Sequence, residues 1–440
     1  MAIEREIMKR LEEWKNSPRR KPALIKGARQ IGKSWVMREF GRKCYAYTAV
    51  FDFDEKPELQ NVFKVSKDPL RLIKDLALYT DVPLLPGETL LVFDEIQDCE
   101  EALNSLKYFH ENAPEYHIMA AGSLLGVAVR QKKMKVPVGQ VDIFNMYPLS
   151  FREYLFAADA QTARYVDQME RVGHLPEIIL NKLKTEYRRF LVCGGMPEAA
   201  SAMIDGEGMA VVDRILTSIL AFYEVDFAKY ATPLQVTRIR ALWHSLPAQL
   251  SKENRKFQYG VIKTGARSKD YEDALTWLED AGVVYRIHNI AKPALPLSAY
   301  ADNSAFKLYA SDTGLLRSLA RLSAEAVLNP THGYTEFKGA MAENAVLQSL
   351  MPMRNGNVPF YWSADSRAEI EFVIDEGVDV IPIEVKAEDC VSGRSLTVYN
   401  DKFSPRVRIR CSMLNLQFND NLLSVPAPLC GWMRKWLKML

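Results

Sequence analysis

The 440-residue chain has no apolar run of the roughly 20 residues that a membrane-crossing helix needs, so no membrane span is expected. Its six cysteines (Cys44, Cys99, Cys193, Cys390, Cys411 and Cys430) are scattered and include no C-x-x-C pair. That argues against a disulfide framework or a zinc ribbon and for a reducing compartment. The six histidines form no H-E-x-x-H or similar ligand spacing, and no structural metal is expected. An excess of one charge is also missing. The 57 Lys and Arg against 55 Asp and Glu leave a net +2, so nucleic acid would have to be recruited by a local patch. The first residues, Met1-Ala2-Ile3-Glu4-Arg5-Glu6, are charged and helical in pattern rather than signal-like, and the expected location is cytoplasmic. Internal repeats and low-complexity tracts are lacking too. What remains is an ordinary globular composition, 48% hydrophobic and 25% charged, in a chain too long for one core and sized for about two to four domains.

One stretch departs from this plain background. Gly27-Ala28-Arg29-Gln30-Ile31-Gly32-Lys33-Ser34 satisfies G-x-x-x-x-G-K-[ST], a phosphate-binding loop. The glycines permit a tight turn whose successive N–H groups line one concavity. Lys33 is placed to reach the β- and γ-phosphates of a nucleotide, and the Ser34 hydroxyl to ligate Mg²⁺. Ala23–Lys26 reads as a short buried strand and Ser34–Phe40 as a helix, whose positive N-terminal end would face the phosphates. The expected nucleotide-binding set is the loop itself, Gly27, Ala28, Arg29, Gln30, Ile31, Gly32, Lys33 and Ser34, together with Trp35.

Downstream, Thr89-Leu90-Leu91-Val92-Phe93-Asp94-Glu95 is an apolar strand ending in two carboxylates. After a phosphate loop, the first acid, Asp94, is expected to hold Mg²⁺ with Ser34, and the second, Glu95, to polarise the attacking water. The alternative is an apolar strand that happens to end in acids at a helix start. Tyr116–Ala121 reads as a further strand, followed by Gly122-Ser123. Ser123 either senses the γ-phosphate or orients water, or it caps a turn. The expected catalytic set is therefore Glu95, Lys33 and Ser123.

Strand and helix alternate through the first ~155 residues: helix at Ile3–Trp14, strands at Ala23–Lys26, Tyr45–Asp52, Thr89–Glu95 and Tyr116–Ala121, helices between them. That pattern predicts an α/β fold, a parallel sheet with helices on both faces. From Tyr147 to about Tyr230 the pattern is mostly helical, broken sharply at Gly194-Gly195-Met196-Pro197, with a helix expected over Ile215–Tyr230. Val236–Leu246, a helix from Ser268 to Leu278 and a strand at Gly282–Ile287 follow in the order of a winged helix, with Ser268 as cap and Lys269 and Tyr271 beside it at the start of the candidate recognition helix. Such a module either reads DNA or serves only for packing and protein contacts. Beyond Pro293–Pro296 a last α/β region carries a strand at Phe306–Tyr309, a helix at Gly339–Leu350 and paired strands at Glu369–Ile374 and Val380–Val385 around Glu376-Gly377.

Those paired strands carry Glu371 and Glu384-Val385-Lys386, and the helix before them carries Glu343. An acid followed by E-x-K on an adjacent strand is the core of a metal-dependent nuclease site, and strand alternation puts Glu384 and Lys386 on one face. It is equally a cross-strand charge pair on an exposed face. The basic run Gln131-Lys132-Lys133-Met134-Lys135 is either a nucleic-acid contact or a solvated loop.

The series G-A-R-Q-I-G-K-S, L-V-F-D-E-I-Q, A-G-S-L-L-G, Pro137-Val138-Gly139, Tyr147-Pro148-Leu149-Ser150-Phe151-Arg152-Glu153-Tyr154 and Gly194-Gly195-Met196-Pro197-Glu198 resembles the bacterial and archaeal AAA-type ATPases that carry a C-terminal domain of unknown function, the DUF4143 family. The likeness covers nearly the whole chain. It implies an AAA-type P-loop core over 1–155, a helical lid over 156–232, a winged-helix-like segment over 233–292 and a C-terminal DUF4143 domain over 300–440. The Glu384-Val385-Lys386 strand lies where that family resembles archaeal Holliday-junction resolvases, which implies a restriction-endonuclease-like end. The resemblance implies ATP and Mg²⁺ as cofactors, bound by Lys33, Ser34 and Asp94, with water activated by Glu95. Relatives usually carry a basic residue after Pro137-Val138-Gly139, where this chain has Gln140; Arg130 or Arg152 is the candidate substitute for a charge acting on a neighbour's nucleotide. Three functions follow: an ATPase driving its C-terminal domains, an ATP-gated DNA nuclease, or a nucleotide-dependent switch without catalysis. DNA would be bound through the winged-helix and C-terminal regions; the other partners to expect are a protein or a second copy of the chain.

Overall fold

The computed structural model describes residues 3–131, 134, 136–137, 139–252, 255–329, 335–364, 368–388 and 393–440. Among them, the apolar segments of the first region form a parallel sheet of five strands: β1 Ala23–Lys26, β2 Tyr47–Asp52, β3 Thr89–Asp94, β4 His117–Gly122 and β5 Asp142–Asn145. Their order is β2-β3-β4-β1-β5. Every residue of β3 and β4 is buried, as expected where helices cover both faces of a parallel sheet. β4 lies between β1 and β3, with Lys26 in register with Gly122 and Phe93 with Ala120. The carboxyl ends of these strands therefore open onto one edge, where ligands of α/β sheets bind. β5 falls in a stretch with no strand expectation; it pairs with β1, Ala23 against Asp142.

The middle of the chain is helical. The capping box of Ser150 and Glu153 opens Phe151–Ala158, and Glu177–Cys193, Pro197–Ile204, Met209–Asp226, Pro233–Leu250 and Ser268–Asp280 follow. The helix expected to reach Tyr230 ends at Asp226. Tyr230 instead adopts a φ of 61° and donates its hydroxyl to Asp98 of the core at 3.1 Å. Ser268 is the first residue of its helix, not the cap; the cap position is Arg267, and the Ser268 hydroxyl donates to Tyr259 at 3.2 Å.

A second sheet of eight strands holds β6 Val284–Ile290, β7 Ala301–Ala310, β8 Phe360–Ala364, β9 Ala368–Glu376, β10 Asp379–Val385, β11 Arg408–Ser412, β12 Gln417–Asn419 and β13 Leu422–Pro426. The order is β12-β13-β11-β10-β9-β8-β6-β7, so the hairpin β6–β7 closes one edge of the sheet that the C-terminal strands build. Among the described residues no helix is long and apolar enough to cross a membrane.

The regions are tied by one buried polar network. Asp312, fully buried, accepts from the N–H of Gly195 at 2.5 Å and Leu315 at 2.9 Å and from Gln348 Nε2 at 3.0 Å. Gln348 also donates to the Leu149 carbonyl at 3.0 Å and accepts from the Thr313 N–H and hydroxyl. A side chain on Gly195 would meet Leu149 O at 2.2 Å, which is why this position is glycine. Burial lifts the Asp312 carboxyl to about 6, against the N–H donors that hold it down. Replacing Asp312 by Ala strands several buried donors at once, and is expected to destabilise the chain by about 2–4 kcal/mol. Thermal or urea unfolding of the full-length protein measures this.

Candidate nucleotide site

The loop between β1 and the helix Lys33–Cys44 starts at Gly27, whose φ is 154°, and ends at Gly32, whose φ is 89°. A Cβ on Gly27 would lie 2.3 Å from the Met146 carbonyl oxygen, so glycine is required where the loop crosses the end of β5. Gln30 takes the left-handed region at a φ of 63°. Lys33 is buried at the first turn of the helix, and its Nζ donates to the loop carbonyls of Gly27 at 3.0 Å and Ala28 at 2.6 Å. Burial brings its pKa down to about 8, opposed by Glu95 and Asp94. Ser34 follows it and hydrogen-bonds through its hydroxyl to the carboxylate of Asp94. Trp35 is partly exposed on the outer side of the helix start.

Asp94 ends β3 and is almost fully buried. Burial raises its pKa, and the Ser34 hydroxyl counters this. Glu95 sits just beyond the strand in the left-handed region, φ 48°. One of its oxygens accepts from the Ser123 hydroxyl at 3.1 Å and from Gln97 Nε2 at 2.5 Å. The structure thus brings Lys33, Ser34, Asp94, Glu95 and Ser123 to one edge of the sheet. Asp52, at the end of β2 in register with Asp94, adds a neighbouring acid that the sequence analysis did not single out.

The sequence analysis also missed what holds the loop from outside. Arg5 donates through Nη1 to the Ile31 carbonyl at 2.7 Å and pairs through Nε with Glu153 at 2.9 Å. Arg29 pairs with Asp226 at 2.5 Å, and the Tyr223 hydroxyl donates to the Arg29 carbonyl at 2.9 Å. Gly282, φ 72°, approaches the loop so closely that a Cβ there would lie 3.2 Å from the Ala28 nitrogen. These partners lie 26 to 254 residues from the loop positions they contact, and no local pattern announces them.

The second candidate cluster is also assembled. Glu371 on β9 accepts from the Val385 N–H at 3.0 Å, and Glu384 on β10 pairs with Lys386 at 3.2 Å. Glu343, on the helix Thr335–Arg354, accepts from the Tyr309 hydroxyl at 2.7 Å and pairs with Arg255. Burial, reinforced by the Glu343 charge, lifts Glu371 to about 8. The cluster carries its own counter-charges: Lys307 pairs with Glu369, and Arg410 Nε lies 3.6 Å from Glu384. Among the described residues, no group of three or more His, Cys, Asp or Glu side chains is arranged to hold a metal ion.

The charges proposed as substitutes at the Gln140 position have partners within the chain. Arg130 pairs with Asp280 at 3.0 Å, and Arg152 with Asp167 at 2.8 Å and with Glu6. Gln140 itself bonds His110. Lys132, Lys133 and Lys135 of the basic run, and Val138, lie outside the described residues.

Three family models match the chain: an AAA domain over residues 19–155, a domain of unknown function (DUF8612) over 184–326, and the domain of unknown function DUF4143 over 338–430. No curated protein matches it. Among solved structures, the Walker-type ATPase PABY2304 of Pyrococcus abyssi is 15% identical, with 72% of this chain and 96% of that one covered and a TM-score of 0.44. ORC2 of Aeropyrum pernix in its ADPNP and ADP complexes is 14% identical over 73% of this chain and 90% of that one, with a TM-score of 0.37. DnaA of Aquifex aeolicus bound to AMPPCP is 12% identical over 62% and 85%, with a TM-score of 0.25. The chain thus carries an AAA domain over residues 19–155 and, towards its C-terminus, a DUF4143 domain over residues 338–430.

Proposed function

We propose that the chain binds ATP in the loop Gly27–Ser34 and hydrolyses it. The observation that carries this reading is the meeting of Lys33, Ser34, Asp94, Glu95 and Ser123 at the carboxyl edge of the first sheet. Ser34 and Asp94 are the residues that would hold Mg²⁺, which when bound supplies charge neutralisation on the phosphates. Lys33 exchanges its two loop carbonyls for phosphate oxygens. Glu95, oriented by Ser123 and Gln97, accepts a hydrogen bond from the attacking water and aligns it with the γ-phosphorus. The oxygen–phosphorus bond then forms as the bond to the bridging oxygen breaks, and ADP leaves.

Arg29 links this site to the helical region. Its guanidinium is held by Asp226 at the end of Met209–Asp226, and one Asp226 oxygen is buried without a hydrogen-bond partner among the described residues. Arriving phosphates compete with Asp226 for Arg29, so nucleotide loosens or re-seats that helix. The same contact supports the switch reading, in which occupancy rather than turnover moves the helical region.

Lys33→Ala is expected to abolish ATP binding by calorimetry. Glu95→Gln is expected to retain binding while slowing steady-state phosphate release by about 100-fold or more. A Glu95→Gln protein as slow as an equally slow wild type would select the switch.

The Lys33 pKa of about 8 sets a pH dependence. Bound phosphates stabilise the ammonium, so its pKa rises in the complex. Affinity is therefore full below about 8 and declines above it, where binding must first take up a proton. Calorimetry at pH 9 in two buffers of different ionisation enthalpy is expected to show uptake of close to one proton per ATP, and at pH 6.5 almost none.

A further inference from the structure

Arg29 stands inside the phosphate loop, between Gly27 and Lys33. Its backbone is fixed, because the Tyr223 hydroxyl donates to its carbonyl at 2.9 Å. Its guanidinium is held less firmly. Of the five N–H donors of an arginine, one on Nη1 meets Asp226 Oδ1 at 2.5 Å, and among the described residues the side chain makes no other hydrogen bond. The Arg29 side chain is 37% exposed, while Asp226 is buried, with its second oxygen unpaired among the described residues. A planar fork that uses one donor on one oxygen is an incomplete pair. A phosphate group, with several oxygens to offer, makes the stronger partner.

Two neighbours put this guanidinium at the reacting end of the site. Burial lowers the pKa of Lys33 and the charge of Arg29 lowers it further, against Glu95 and Asp94. Burial also works against the charge on Arg29, yet Asp226, Glu95 and Asp54 together hold it above its ordinary value. Such influences fall off with distance. The guanidinium therefore lies near both the ammonium that reaches the phosphates and the carboxylate that aligns water. Arg130 and Arg152 are placed differently. Arg130 pairs with Asp280 and Arg152 with Asp167 and Glu6, and neither charge acts on Lys33.

We propose that Arg29 is a catalytic residue of the ATP site, one that supplies from within the same chain the positive charge on the γ-phosphate in the transition state. The proposal rests on the reading of the loop as an ATP-hydrolysing site. When nucleotide arrives, the guanidinium leaves Asp226 and takes oxygens of the γ-phosphate. Water oxygen then bonds to the γ-phosphorus as the bond to the bridging oxygen breaks. Arg29 neutralises charge on the transferring group and keeps its own protons throughout. Hydrolysis is thereby complete in one chain, without a cation from a second copy.

The test uses the full-length protein and reads ATP affinity by calorimetry separately from the rate of phosphate release in a single turnover. Arg29→Ala is expected to slow release about 100-fold or more while weakening ATP binding less than about tenfold, with part of the rate recovered in Arg29→Lys. Asp226→Asn frees the guanidinium and is expected to act in the opposite direction, tightening ATP binding. An arginine that merely pins the helix Met209–Asp226 would give the same losses in both variants. Thermal unfolding confirms that each variant is folded. The rate per chain is expected to stay constant as protein concentration rises. Release from Arg29→Ala as fast as from wild type, parallel losses in Arg29→Ala and Asp226→Asn, ATP binding by wild type without hydrolysis, or a rate per chain that climbs with concentration would overturn the proposal while leaving the ATP-binding site in place. Failure of the wild-type protein to bind ATP would overturn the site itself, and this role with it.

Discussion

The molecule is organised around a short ribbon of backbone that tolerates almost no side chain beneath it. At Gly27 the loop passes over the Met146 carbonyl with no room for a Cβ, and from there it is gripped on several sides. Arg5 takes the Ile31 carbonyl, Tyr223 takes the Arg29 carbonyl, and Gly282 leans on Ala28. Each grip comes from a different part of the chain. Lys33 satisfies the loop carbonyls of Gly27 and Ala28, and those of Ile31 and Arg29 take their donors from Arg5 and Tyr223.

The same logic recurs at Asp312. A carboxylate with no solvent is tolerable only if N–H groups converge on it, and those donors come from the Gly194-Gly195 break, from the turn after β7 and from Gln348 on a late helix. The glycine pair that reads in the sequence as a break between helices is therefore also a docking point, where two backbones and a side chain meet at distances no larger residue allows.

The legible parts of the fold were those written in local pattern. The phosphate loop, the apolar strand running into Asp94-Glu95 and the alternation that puts Glu384 and Lys386 on one face all follow from spacing, and the structure places these side chains together. β5 was not legible: four residues with one buried position carry no period, and only the neighbouring β1 makes them a strand. The end of the helix at Asp226 was missed because apolar spacing continues to Tyr230, while the chain turns to reach Asp98. The counter-charges of the acid cluster were invisible for a related reason. Arg255, 88 residues from Glu343, and Arg410, on the neighbouring strand β11, bring charges to the cluster that the E-x-K spacing does not show.

The hairpin β6–β7 lends two strands to an edge of the larger sheet although it precedes the long helix Thr335–Arg354. β6, which follows Gly282 beside the loop, pairs with β7 along its length and meets the C-terminal strands at one residue pair, Asn289 against Tyr361 of β8. A chain severed in the Pro293–Pro296 link would strand unpaired backbone on both fragments, inviting edge-to-edge association. The segment that touches Ala28 thus leads directly into an inner strand of the sheet whose far edge is β12.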